Sequence, residues 1–231
     1  MQSNTNNQSL ISQLPTLSDE KIKRDYLNHL EWTESIGAIL PLIDDSEALR
    51  VVRLALNVDL MLGAFLAGKV KSELQSETVK WIDNLEILDN LKIELFGRTK
   101  SEFSIPFLVR TLNQEEELIC ARVDIERFFK GEEAPEEKLF YQAFNYENLS
   151  IQTIYVLGSF DNESATNLLI KTLLDKRKSV RQAALRNLEN FSDEIAIAAL
   201  IEASKNEDEE IRTQAICSLK EIGSDLALET L

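Results

Sequence analysis

The sequence predicts an all-α fold: an α-solenoid of stacked helix hairpins, preceded by a helical N-terminal segment. Three observations predict it. Apolar residues make up 44% of the 231 positions, while Gly and Pro occupy only 7 and 4; that balance suits long helices with short turns better than a strand-rich fold with many Gly/Pro corners. Apolar positions recur at helical spacing, as in Val180, Ala183, Ala184 and Leu188, which paints one stripe down a helix. Finally, the chain repeats itself every 31 residues: Val180-Arg181 maps onto Ile211-Arg212, Ala184 onto Ala215, Leu188 onto Leu219 and Phe191 onto Ile222. A period of this size marks a repeat architecture.

The elements follow in order. Residues 1–18 are rich in Gln, Asn and Ser and are expected to be disordered or loosely packed. Residues 19–100 read as a helical segment without clean periodicity, ending in a partial repeat whose second helix is LDNLKIELFGRTKSE. Trp32 and Trp81 fall in this segment and are read as core residues. Residues 101–231 form an array of about four hairpins. The first unit, at 104–129, carries Pro106 in a first-turn position, where a missing N–H does no harm. A compressed unit follows a stop-and-restart signal at Gly131 and Pro135, and Leu149, Leu157 and Phe160 keep the common register. First helices are expected near 165–174 and 195–204, with DKRKS and NEDEE as the turns inside the last two hairpins.

The strings ATNLLIKTLLDKRKSVRQAALRNL and AIAALIEASKNEDEEIRTQAICSLKEIGS resemble bacterial HEAT repeats of the kind shared with phycobilisome-lyase-like proteins. Upstream, YLNHLEWTESIGAIL and ALRVVRLALNVDLMLGAFLAGKVKSELQSETV are similar to the region that follows the NTPase core in cyanobacterial NACHT/STAND proteins. The first resemblance implies a protein-binding solenoid or a phycobilin lyase-like role. The second implies a sensor-like tail that regulates an NTPase; no ATPase core lies within the 231 residues, so no NTPase activity is carried over.

Composition excludes several classes. With 25 Lys+Arg against 40 Asp+Glu the formal charge is −15, which repels nucleic acid at long range. The longest mostly apolar run, 54–68, is broken by Asn57 and Asp59 and falls short of the ~20 residues a bilayer span needs. The opening MQSNTNNQSLISQLP has neither the basic start nor the apolar stretch of a secretion signal, so a cytoplasmic location is expected. Cys120 and Cys217 have no Cys or His companion; they are read as buried and reduced.

Chemistry finds little support, and no catalytic, cofactor or metal residue is assigned. GAFLAGK at 63–69 matches a phosphate-loop pattern but has Val70 where Ser or Thr would hold Mg²⁺; Phe65 and Leu66 continue the helical pattern begun at Val51, so Gly63 and Gly68 are expected at close-packing or terminating positions. His29 is the only histidine and is read as structural or surface. The carboxylate runs Glu115–Glu117, Glu132-Glu133, Glu136-Glu137 and Asp208–Glu210 fall at turns or helix starts, where acidic groups complement the helix dipole.

One feature stands out by charge. Residues 171–186 hold Lys171, Lys176, Arg177, Lys178, Arg181 and Arg186 against Asp175 alone, a local net of +5 in an acidic chain. This island is the candidate protein-binding face, suited to an acidic peptide or a phosphate group of a partner, or to the 115–137 stretch of a second copy. Within it, Arg181 and Arg212 follow the turn residues Asp175 and Asn206 at the same spacing, and a turn-to-arginine bond is expected in each unit.

Overall fold

The computed structural model describes residues 9–113, 137–160, 162–173, 175, 177–188, 194–205 and 209–222. Every regular element among them is helical. The chain divides into two compact units, Met1–Ser104 and Ile105–Leu231. Residues 1–8, Cys120, Lys176, Phe191, Asn206 and the runs at 115–117, 131–136 and 208 lie outside the described residues.

In the first unit, a short helix α1 (Asp19–Ile22) widens into a π-turn over Lys23–Leu27, and α2 (Thr33–Ile39) follows. The longest helix, α3 (Asp45–Val58), begins at Asp44, whose carboxylate accepts the Ser46 N–H at 2.9 Å. Ala48, Val51, Val52 and Ala55 are fully buried along its length, the spacing that turns one helical face to the core. Asp59 then takes an extended conformation and caps α4 (Leu60–Ala67) by accepting the Leu62 N–H at 2.7 Å. The helical pattern expected to continue from Val51 to Leu66 is therefore two helices with a one-residue corner, because a carboxylate that caps a new helix competes with continuing the old one. Gly63 makes the fold-back possible: a Cβ there would lie 2.6 Å from the Leu56 Cα.

Two more helices, α5 (Ser72–Asp83) and α6 (Asp89–Thr99), complete this unit. They meet the end of α4 through a buried polar chain. Gln75 donates to the carbonyls of Gly68 and Val70, both at 3.2 Å, and accepts from Ser101 Oγ at 2.6 Å. Thr78 donates to Ala67 O at 2.9 Å, and the Thr99 and Ser104 hydroxyls share a bond of 2.8 Å. Each link satisfies a carbonyl or hydroxyl that a helix end would otherwise leave unpaired in the interior. The residue that turns the chain out of α6 is Lys100, in the left-handed conformation at φ 54°.

The expectation of a loose stretch at 1–18 is corrected where the structure describes it. Residues 9–13 are helical, and Leu10 and Leu14 are 3% and 1% exposed. Two leucines one helical turn apart are enough to seat a polar segment on the core.

The second unit comprises α7 (Ile105–Leu112), α8 (Glu137–Leu157), α9 (Glu163–Thr172), α10 (Lys178–Leu188), α11 (Glu194–Ala203) and α12 (Glu209–Ile222). Pro106 is the second residue of α7. The α9/α10 and α11/α12 hairpins match the predicted pairing, with α8, α10 and α12 side by side in one layer and α9 against α11 in the other. The register is visible in burial: Leu157, Leu188 and Leu219 are all fully enclosed, as are Ala184 and Ala215 with Thr153 at the matching place. Asn162 caps α9 by accepting the Ala165 N–H at 2.8 Å.

Two stability outcomes follow. Leu188→Ala should cost about 2–5 kcal/mol in urea unfolding; a wild-type midpoint would contradict the register. Lys100→Gly should stabilise by about 1 kcal/mol, because glycine adopts the left-handed region without Cβ strain; a loss of stability would show that the lysine side chain outweighs its backbone strain.

Candidate interaction face

The described cations of the island divide among three environments. Arg177 is a correction to the predicted face: it is 8% exposed and belongs to the interior. Its guanidinium grips Asp175 in a fork, with Nε donating to Oδ1 and Nη2 to Oδ2, each at 2.9 Å. Nη1 donates to Ser150 Oγ on α8 at 2.8 Å, and Nη2 also reaches the Leu112 carbonyl at the end of α7 at 3.4 Å. Asp175 Oδ1 in turn accepts the Arg177 backbone N–H at 2.8 Å, closing an Asx-turn ahead of α10. Burial alone would raise the Asp175 carboxyl; bonds from the Arg177 side chain and backbone, with the charges of Arg177 and Arg181, outweigh it and hold the group below its ordinary range.

Arg181 is half-buried and donates Nη1 to the Asp175 carbonyl at 2.9 Å. This is the turn-to-arginine bond expected from the spacing, made to the main chain; Asn206, its counterpart's acceptor, lies outside the described residues. Lys171 is exposed but sits on α9, in the other layer. Lys178 and Arg186 remain as the exposed cations of α10. Sequence distance had joined groups that the hairpin separates.

The repeat arranges the outward positions of α8, α10 and α12 as a lattice. Stepping four residues along each helix and one repeat between helices gives Glu147, Ile151 and Tyr155 on α8, then Lys178, Gln182 and Arg186 on α10, then Glu209, Thr213 and Cys217 on α12. All nine are exposed or half-exposed, and Tyr155 is 48% exposed. The Ser179 hydroxyl donates to Glu147, which confirms that the first row of α8 faces the first turn of α10. The middle column is cationic, between helices that present Glu147 and Glu209 at the same level. Lys178 opens α10 where Glu163, Glu194 and Glu209 open α9, α11 and α12; a cation at a helix N-terminus opposes the dipole.

The notch beside this column, lined by Lys178, Arg181, Gln182, Leu185 and Ile211, measures about 10 Å³, room for at most a single water. This part of the face presents side chains to a surface and encloses no small molecule. Cys217, read from sequence as buried, is exposed, because the buried stripe of α12 runs through Ile211, Ala215, Ser218 and Leu219 and position 217 points away from it.

The other candidates resolve locally. Gly68 ends α4, and a Cβ there would lie 1.7 Å from the Thr99 carbonyl oxygen; the glycine serves close packing, and Lys69 stands over the Phe65 ring at 5.1 Å. His29 is exposed. Trp32 and Trp81 are half-exposed and not core residues: Trp32 meets Tyr26 edge-on at 5.1 Å, and Trp81 lies under the Arg53 guanidinium at 4.8 Å. Among the described residues, no three His, Cys, Asp or Glu side chains are placed to hold a metal ion, and no helix is long and apolar enough to cross a membrane.

A family model of HEAT repeats matches residues 166–231, covering most of α9 and all of α10, α11 and α12. That part of the chain is a HEAT-repeat region, and the stacked hairpins are an α-solenoid-like arrangement. No curated protein matches the chain.

The fork gives the second unit an acid dependence. Asp175 has a depressed pKa in the fold, so its contribution is fully present above the unfolded value of ~3.9 and is lost as pH falls through the lower folded value. Asp175→Asn should cost about 3–5 kcal/mol at neutral pH by leaving Arg177 buried without its counter-charge. Chemical unfolding from neutral pH downward should show that gap closing below about pH 4; a constant gap would remove the ionised fork from the account.

Proposed function

We propose that the second unit is a non-catalytic protein-interaction module that receives its partner on the face of α8, α10 and α12. The observation that carries this reading is the α10 column, in which Lys178, Gln182 and Arg186 stand outward between two acid-bearing helices. Solenoids of stacked hairpins characteristically bind along such a layer. Tyr155, level with Arg186 one helix away, supplies an aromatic anchor of the type enriched in binding hot spots. The partner this face suits is a protein segment that brings acidic side chains to the central column. A cytoplasmic setting fits the exposed thiol of Cys217.

The finer readings, a phycobilin lyase-like protein or the regulator of a NACHT/STAND NTPase, rest on sequence resemblance; the α10 face favours neither. Self-association would use the same face, with an acidic segment of a second copy as its occupant.

The test is affinity capture from the native host with three baits: wild type, K178E/R186E and K171E. A protein retained by wild type and K171E but lost from K178E/R186E places binding on the second-helix layer. Equal recovery by all three baits would eliminate that face. Because Lys178 and Arg186 are exposed, the double variant should melt close to wild type.

A further inference from the structure

The first unit holds a second cationic feature, and it is concave. An open cleft of about 510 Å³ lies between α1 with its π-turn and one side of α3. Asp19 and Lys23 form one wall, while Arg50, Arg53 and Asn57, with Leu49, form the other. Asp19 and Glu47 pair with Arg50 and Glu20 pairs with Lys23, which leaves Arg53 as the lining cation with no carboxylate beside it among the described residues. Independently of the reading given for the second unit, we propose that this cleft binds an extended, acidic peptide segment of another protein, with one carboxylate seated on Arg53.

The cations differ in what they can still do. Arg50 is the fixed floor: Nε donates to Asp19 at 2.7 Å, Nη1 to Glu47 at 3.1 Å and Nη2 to the Leu17 carbonyl at 2.8 Å. Lys23 is paired with Glu20 at 3.2 Å. Arg53 is exposed, and among the described residues no carboxylate lies within ion-pair distance of it. Its guanidinium rests over the Trp81 ring at 4.8 Å. That cation–π contact holds the guanidinium without an acid, and a guanidinium's fork of N–H donors suits a planar acceptor such as a carboxylate.

Shape and charge select the occupant. Ser46, Arg50, Arg53 and Asn57 follow one side of α3 at steps of three to four residues, a wall of about 16 Å at the helical rise and the reach of about five extended residues. An extended chain turns alternate side chains to opposite sides, so one with an acid at every second position lays a single acidic row along the Arg53 wall. A phosphate dianion fits less well, because Asp19 and Glu47 stand beside the same cations and a doubly charged group meets more repulsion than a carboxylate does.

The experiment uses the full chain and a fluorescein-labelled peptide of four Glu-Leu pairs, followed by anisotropy at about 0.15 M salt. Saturable binding is expected, with Arg53→Gln weakening it about tenfold and a Gln-Leu peptide binding no better than that variant. K171E, which alters an exposed cation of α9 outside both the cleft and the α10 column, should bind the peptide like wild type, which separates this result from a loss of cationic charge in general. In a Trp32→Phe background the remaining indole, Trp81, should shift its emission as the Glu-Leu peptide binds. The proposal is overturned if R53Q binds as wild type, if Glu-Leu and Gln-Leu peptides bind alike, if Trp81 emission stays unmoved at saturation, or if inorganic phosphate displaces the peptide at lower concentration than free glutamate does.

Discussion

The fork between Arg177 and Asp175 is the constraint around which the second unit is organised. Removing two charges from water is unfavourable by several kcal/mol per ion, and here the loss is offset only because every part of the arrangement is used. The carboxylate takes both arms of the guanidinium and a backbone N–H, and the guanidinium spends its remaining donors on Ser150 and the Leu112 carbonyl. A lysine could not replace it, since a point charge has no planar fork with which to hold a carboxylate while reaching two further acceptors. The result joins the end of α7, the middle of α8 and the turn before α10 at one residue. Arg181 binds the carbonyl of the same aspartate, so the turn is fixed from both sides.

That same arrangement explains what the sequence disclosed and what it concealed. The hairpins were legible, because 31-residue periodicity and helical spacing are properties of the chain itself; Leu157, Leu188 and Leu219 lie where the register puts them. Charge counting failed at Arg177, because a run of six cations says nothing about which of them a turn folds inward. Asp175 was the available signal: one acid two positions before an arginine, inside a turn, can close an Asx-turn and pair with that arginine together. Cys217 was misread for a related reason, since hydrophobicity by residue type ignores a helical phase that the neighbouring stripe already determines. At Asp59 the apolar pattern continued across a corner, because periodicity registers the face of a helix and not a capping carboxylate that ends it.

A repeat also dictates how a surface is assembled. Outward positions four residues apart on one helix are about 6 Å apart along its axis, and neighbouring helices lie about 8–10 Å from each other. A partner therefore meets side chains on a lattice whose spacing is set by backbone geometry, while its chemistry varies freely from repeat to repeat. On this lattice the α10 column is positive and its neighbours carry acids, so an approaching chain experiences alternating sign within about one Debye length. Such a field favours a partner aligned with the column and disfavours one lying across it.

The exposed cations of both units carry the same lesson about net charge. A chain at −15 should repel acidic partners if its charge were spread evenly, yet the cations are positioned individually: Arg177 and Arg50 hold the fold together, whereas Arg186 and Arg53 stand at the surface. What sets Arg53 apart from Arg177 and Arg50 is the number of acceptors the fold itself supplies. Arg177 and Arg50 meet a carboxylate and a main-chain carbonyl within their own unit, which consumes their donors and fixes their position. Arg53 is exposed and meets an aromatic ring, a contact that engages its charge without a carboxylate. An arginine held in place but not chemically saturated loses less side-chain freedom when a ligand arrives, and that difference in remaining capacity, more than the sign of the whole molecule, decides where an acidic ligand can be held.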